Sequence, residues 1–295
     1  MDMGFDCQTD TNSSKEAISE RVGEYIGIVL RSRFSIDKPF LEKATGLRFI
    51  AREGVGLEHI DTAFAEHRGI RVLYSPEGSR DTVAEHALGL LLCLMNNLAC
   101  ADRQVRSGQW ERESNRGTEL KGKTVGILGY GNMGSAFAQR LAGFDVKVLA
   151  YDKFKSGYGD RYAQEAALQQ LFDEADVLSI HIPYLTENRY FIDGAFLRNF
   201  RKNIYLVNTA RGMVLHTADL VACLQSGKVL GAALDVLEYE ETSFDRFRPE
   251  KLPEPFEYLK EAGNVVLSPH IAGWSFESKE KHGLVLAGKI RSLFG

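Results

Sequence analysis

Long apolar runs, paired cysteines and an excess of positive charge are all missing from this 295-residue chain. The most apolar run, Ala87–Met95, ends in Asn96-Asn97. It falls far short of the roughly 20 residues needed to span a bilayer. It reads as a buried core helix, and no membrane association is expected. The first sixteen residues are polar and acidic, so no secretory leader is expected. Cys7, Cys93, Cys100 and Cys223 form no C-x-x-C pair. Three of them lie in apolar helical stretches and read as buried, inert thiols, which points to a reducing, cytoplasmic setting. The 36 basic and 40 acidic residues leave a formal charge of −4. Such a balance offers no broad basic face for nucleic acid. No low-complexity tract or internal repeat stands out, and no metal site is expected.

What is present is ordinary for a soluble globular protein: 44% hydrophobic and 26% charged residues. The length exceeds what one core usually organises, so two domains are expected. From Tyr25 onward, short β-branched or aromatic segments (Ile26–Leu30, Arg48–Ala51, Arg71–Tyr74) alternate with helix-like stretches (Lys38–Thr45, Asp61–His67). Such alternation argues for α/β architecture with a parallel sheet. A long apolar helix is expected over Asp81–Arg106, followed by the hydrophilic crossover Ser107–Lys123. A second α/β unit then has strands expected at Thr124–Leu128, Val146–Tyr151, Val177–Ile182, Ile204–Asn208, Gly231–Val236 and Val265–Ser268. The amphipathic tail Ser275–Phe294 is expected to return to the first domain, making that domain discontinuous. The divisions expected are 1–85 plus 272–295, and 86–271.

Thr124-Val-Gly-Ile-Leu-Gly129-Tyr-Gly131-Asn-Met-Gly134 places G-x-G-x-x-G directly after a strand, with helix-spaced Met133, Phe137, Leu141 and Phe144 behind it. Gly129 makes a tight turn, Gly131 admits a pyrophosphate to the backbone, and Gly134 allows close helix–strand packing. The helix N-terminus, with Tyr130, Asn132 and Met133 around it, supplies amides and positive dipole for phosphates. Asp152 lies eighteen residues past Gly134. It suits the adenosine ribose hydroxyls and would repel a 2′-phosphate, so NAD is the expected cofactor. Both domains are therefore expected to be Rossmann-like, with doubly wound parallel sheets.

Three later segments carry polar groups where strand ends open onto such a cleft: Asn208-Thr-Ala-Arg211-Gly212, Ala233-Leu-Asp235-Val-Leu-Glu-Tyr-Glu240 and Ser268-Pro-His270-Ile-Ala-Gly273. An Arg, acids and a His arriving there together exceed what a fold needs. With the glycine motif, and with Glu53-Gly-Val-Gly56-Leu-Glu-His-Ile-Asp61 and Asp81-Thr-Val-Ala-Glu-His86 upstream, the chain resembles the D-isomer-specific 2-hydroxyacid dehydrogenases from Tyr25 to about Glu277. The resemblance implies that His270 exchanges the hydroxyl proton, that Glu240 steadies its other ring nitrogen, and that Arg211 clamps the substrate carboxylate. Glu238 and Glu241 are neighbouring alternatives to Glu240, and the acidic segment Glu241–Lys260 is longer than the family usually has. The resemblance further implies that Val55 and Gly56 hold the carboxylate through their amides. Asp235, Thr209, Ala210 and Gly273 would line the cofactor side. His181, beside Pro183, would contact the adenine side, whereas His86 reads as packing or capping.

Arg31, Ser32 and Arg33 close the first strand and could bind a second anion such as a phosphate. L-R-S-R resembles the phosphoglycerate dehydrogenase branch, which implies oxidation of 3-phosphoglycerate toward serine. A glyoxylate/hydroxypyruvate or D-lactate-type reductase would not need Arg31 and Arg33, and a NAD-sensing corepressor-like protein would bind NAD with little turnover. Glu53 departs from the small residue usual at its place. Family members open with a strand before the segment matching Met1–Cys7, so the expectation is that either the start is truncated or the first domain's sheet lacks that strand, with Asp2–Asp6 a candidate short edge strand. Without a C-terminal regulatory module, serine feedback is not expected. The long helix and Trp110–Leu120 are expected to form a homodimer interface.

Overall fold

The computed structural model describes residues 4–240 and 253–294. They fall into two compact units, one of residues 4–79 with 275–294, the other of residues 80–240 with 253–274.

The smaller unit carries a three-stranded parallel sheet in the order β1 (Gly27–Leu30), β2 (Phe49–Arg52) and β3 (Arg71–Tyr74). Every residue of β2 is buried, as a central strand covered on both faces requires. Gly27 is needed beside it, because a side chain there would run into the Phe49 ring. The flanking helices start at acids. Asp37 accepts the Phe40 amide before Lys38–Lys43, and Asp61 accepts the Phe64 amide before Thr62–His67. One face of the sheet packs Ile36, Phe40, Leu41, Ile50 and Ala65. The other packs Phe49 and Ala51 against Leu286 and Ile290 of the helix Phe276–Phe294. Asp2 and Met3 lie outside the described residues, and residues 4–6 form no strand. Phe5 instead meets Phe294 edge-on at 5.4 Å.

The larger unit carries a seven-stranded parallel sheet. Its strands are β4 (Thr124–Leu128), β5 (Lys147–Tyr151), β6 (Gln164–Glu165), β7 (Val177–Ile180), β8 (Ile204–Asn208), β9 (Val229–Leu234) and β10 (Val265–Leu267). The order is β10-β9-β8-β7-β4-β5-β6. Only the two-residue β6 was not anticipated. Strand order reverses between β4 and β7, and in such sheets ligands bind outside the strand C-termini at that reversal.

Two expectations need correction. The single helix Asp81–Arg106 is two helices, Pro76–Met95 and Leu98–Arg106, bent by 63°. The break falls at Asn96-Asn97, where Asn97 adopts a left-handed φ of 53° that ends the first helix. Among the described residues no single helix is long and apolar enough to cross a membrane. Of the three thiols expected to be buried, Cys223 is; Cys93 on the helix Pro76–Met95 is half-buried, and so is Cys100, on the helix Leu98–Arg106 that fully buries none of its residues.

Candidate active site

The glycine turn follows β4. Gly129 has φ +95°, and a Cβ on it would stand 2.8 Å from the His181 carbonyl oxygen. A Cβ on Gly134 would stand 2.1 Å from the Gly129 oxygen. Around Gly131 there is open space, and it caps the helix Asn132–Arg140 with no side chain on the first amides. These amides, at Asn132 and Met133, form a cradle that fits a pyrophosphate. Asp152 follows β5, its carboxylate accepting the amides of Tyr130 (2.9 Å) and Phe154 (3.0 Å). Sequence reasoning missed the mesh behind it. The buried Tyr130 donates its hydroxyl to Asp160 at 2.9 Å, and Lys155 donates to the Tyr130 carbonyl at 2.7 Å. Lys153, the cation next to Asp152, is paired with Glu187 at 3.0 Å.

His181 lies 2.8 Å from the Ser179 hydroxyl through Nε2, with its ring 5.4 Å from Phe137. Burial pushes its pKa down to about 4, so it stays neutral. The Pro183 carbonyl accepts the Asn188 side chain at 2.9 Å.

Past β8, the buried Asn208 folds the next turn: its oxygen accepts the Ala210 amide (3.0 Å) and its nitrogen donates to the Arg211 carbonyl (3.2 Å). Arg211 donates to the Ala210 carbonyl at 2.7 Å. Thr209 Oγ1 is buried with no hydrogen-bond partner among the described residues. Such an orphaned hydroxyl fits a ligand group in this turn.

Past β9 and β10 lie the acids and the histidine. Asp235 is buried, and its oxygens accept from the Ser268 hydroxyl (2.6 Å) and the amides of Ile271 (2.9 Å) and Ala272 (2.8 Å). His86 Nε2 sits 3.4 Å from the same carboxylate and 3.1 Å from Ser268. Burial alone would raise the Asp235 pKa; His86, Ser268 and the two amides outweigh it and hold the carboxyl below its usual range. Asp235, expected on the cofactor side, therefore holds the loop carrying His270 and Gly273. His270 takes a left-handed φ of 54°, its amide bonded to the Asp235 carbonyl at 2.8 Å. Its Nδ1 lies 2.5 Å from Glu240 Oε2. That contact turns Nε2 to the opposite side of the ring, away from the carboxylate. Glu238 is engaged elsewhere, with its Oε1 on the Thr217 amide, and Glu241 lies outside the described residues.

In the smaller unit, Arg33, expected on a substrate phosphate, instead donates to the backbone carbonyls of Asp10 (3.1 Å) and Ser13. Arg31 follows β1 with its backbone bonded to the His59 ring, and Ser32 beside it is half-buried. The buried Arg52 donates to the Glu53 carbonyl, and His59 Nε2 is buried without a hydrogen-bond partner among the described residues. Burial and the Arg52 charge push the His59 pKa down. Val55 and the buried Gly56 follow in the loop. His59, Arg52 and His282 were not singled out; their grouping depends on long-range packing.

A cofactor cradle at a strand-order reversal, with an arginine and a carboxylate-bound imidazole past neighbouring strand ends, is a dinucleotide site set beside groups able to hold an anion and exchange a proton. Residues 88–272 match the family model described as D-isomer specific 2-hydroxyacid dehydrogenase, NAD binding domain. The chain belongs to that family. It is 35% identical over 97% of its length to a D-3-phosphoglycerate dehydrogenase of Archaeoglobus fulgidus, 53% of which it covers, and so spans about half of that relative. It is 34% identical over 96% of its length to a hydroxypyruvate reductase of Thermotoga maritima, 89% of which it covers. A D-lactate dehydrogenase from Aquifex aeolicus, solved with NAD and lactic acid, superposes with a TM-score of 0.79 at 28% identity, over 93% of this chain and 84% of that one.

Proposed function

We propose that this protein oxidises a small D-2-hydroxy acid at C2, with 3-phosphoglycerate as the substrate that its residues support best. The observation carrying the chemistry is the 2.5 Å contact between His270 Nδ1 and Glu240 Oε2. NAD held there would supply the hydride acceptor for C2. His270 Nε2 takes the hydroxyl proton as the C2–O bond becomes a carbonyl, and returns it in reverse. Glu240 fixes the tautomer and stabilises the imidazolium so formed. Arg211 holds the substrate carboxylate with its planar fork. Tyr130, Asn132, Met133, Asp152 and the Thr209–Ala210 turn hold the cofactor.

The phosphate reading rests on Arg31, Ser32 and Arg33, which follow β1 directly. Turnover with NAD of 3-phosphoglycerate should exceed that of glycerate, lactate and glycolate; equal or faster turnover without the phosphate would defeat it. Arg33 favours a second reading. Its engagement with Asp10 and Ser13 removes one of the two arginines the phosphate would use, which suits an unphosphorylated acid such as glycerate, its product hydroxypyruvate.

The protein is also proposed to be a homodimer. Leu98, Val105 and Trp110 are 55%, 53% and 78% exposed, an apolar set that a second copy would cover. A monomeric mass in analytical ultracentrifugation would refute this. The described thiols are all unbridged, which supports the reducing cytoplasm as the setting.

A further inference from the structure

We infer that Glu238 is a positioning residue that aims Glu240 at His270. The inference rests on the reading of His270 as the proton carrier.

Two acids two residues apart serve opposite sides of one turn. Glu240 closes it, with Oε1 accepting the Leu237 amide at 2.5 Å and its own amide donating to the Leu237 carbonyl at 3.3 Å. Its other oxygen meets His270. Nothing in that arrangement anchors the turn to the rest of the unit; Glu238 does. The helix Thr217–Gln225 begins after His216, whose side chain makes no capping bond and lies instead 3.1 Å from Asp219 through Nδ1. Glu238 Oε1 accepts the Thr217 amide at 3.3 Å, giving that N-terminus the side-chain acceptor it lacks and a negative charge beside that of Asp219.

Two phenols neighbour the same carboxylate. Glu238 is the main cause of the raised Tyr190 pKa. Tyr239 is pushed up to about 12 by burial and then by the Glu238 charge. Tyr190 is itself held in a left-handed φ of 52°, rare outside glycine, with its amide on the Met213 carbonyl at 2.9 Å and its ring edge-on to His216 at 4.8 Å. On the far side, a Cβ on Gly212 would stand 2.0 Å from the Leu237 carbonyl carbon, so the turn is pressed against the residue after Arg211. The turn is thus seated by Gly212 and locked by Glu238. Without the lock, Glu240 keeps its chemistry and loses its aim.

Steady-state kinetics and proton NMR test this with NAD and the best hydroxy acid found. Glu238→Ala should lower kcat about ten- to a hundredfold with both KM values nearly unchanged, and should shift the downfield His270 Nδ1 proton resonance upfield. Glu238→Gln, which still offers an oxygen to the Thr217 amide, should keep most of the rate and the resonance. Tyr190→Phe should lower kcat in the same direction by less, and decides the matter if Glu238→Ala does not fold. Wild-type kcat and resonance in the alanine and phenylalanine variants would overturn the inference, as would an equal loss in Glu238→Gln. Turnover surviving in His270→Ala would instead sink the acid–base reading beneath it.

Discussion

His270 in the larger unit and His282 in the smaller one are the same side chain in opposite company. His270 faces a carboxylate across 2.5 Å, on a loop tied down by the buried Asp235. His282 faces the Ser75 hydroxyl at 2.8 Å, with burial pushing its pKa down and the Arg31 and Arg52 charges adding to that against the opposing Glu53. A carboxylate stabilises imidazolium, as a proton carrier would require; burial and two guanidinium charges keep imidazole neutral. The partner, more than the residue type, decides what each histidine can do.

That contrast is easiest to break at His270. Replacing it with alanine should lower kcat by about two to four powers of ten while NAD binding, followed by fluorescence titration, persists. A variant that still turns over near the wild-type rate would erase the difference between the two histidines. Gly212→Ala should come next, because its Cβ would strike the Leu237 backbone. The displaced turn should lower kcat by about ten- to a hundredfold, again by steady-state kinetics. Asp152→Ala should shift the ratio of kcat/KM for NAD over NADP by about tenfold; an unchanged ratio would remove Asp152 from the ribose contact.

The smallest effects should be at His282. Exchange for glutamine should leave kcat intact and raise KM for a phosphorylated substrate about threefold. A sign follows for pH as well. Burial depresses the folded pKa of His59 and His282, while the unfolded chain takes up those protons near pH 6.5. Stability is therefore undiminished above that pH and falls as the pH drops below it. Thermal melting of His282→Gln should lose part of that slope, and an identical slope would mean that His282 contributes nothing to it.

Much of this was legible in the residues. The glycines of the 129–134 turn, the strands flanking them, and Arg211, Glu240 and His270 each carry a local signal: backbone conformation, apolar runs or chemistry at a strand end. What escaped depends on partners distant in the chain. Apolar periodicity runs through Asn97 without registering its left-handed backbone. Arg33 reads as a phosphate ligand until the segment Asp10–Ser13 folds over it. His86 looks like packing until it meets Asp235, 149 residues later. Glu238 and Glu240 look alike in a string of letters, and only the helix Thr217–Gln225 tells them apart.

The sheet of the larger unit has a kinetic corollary. Every strand pairing among the described residues is parallel, so no two neighbours can meet through a tight hairpin. The interior strand β4 must recruit β5 on one side and β7, some fifty residues on, at the other. Loop closure then precedes most of the contacts that reward it, which slows folding and lengthens the time for which raw strand edges stay exposed. On the ribosome β4, β5 and β6 emerge before β7 through β10, so a growing chain holds a half-built sheet with one open flank.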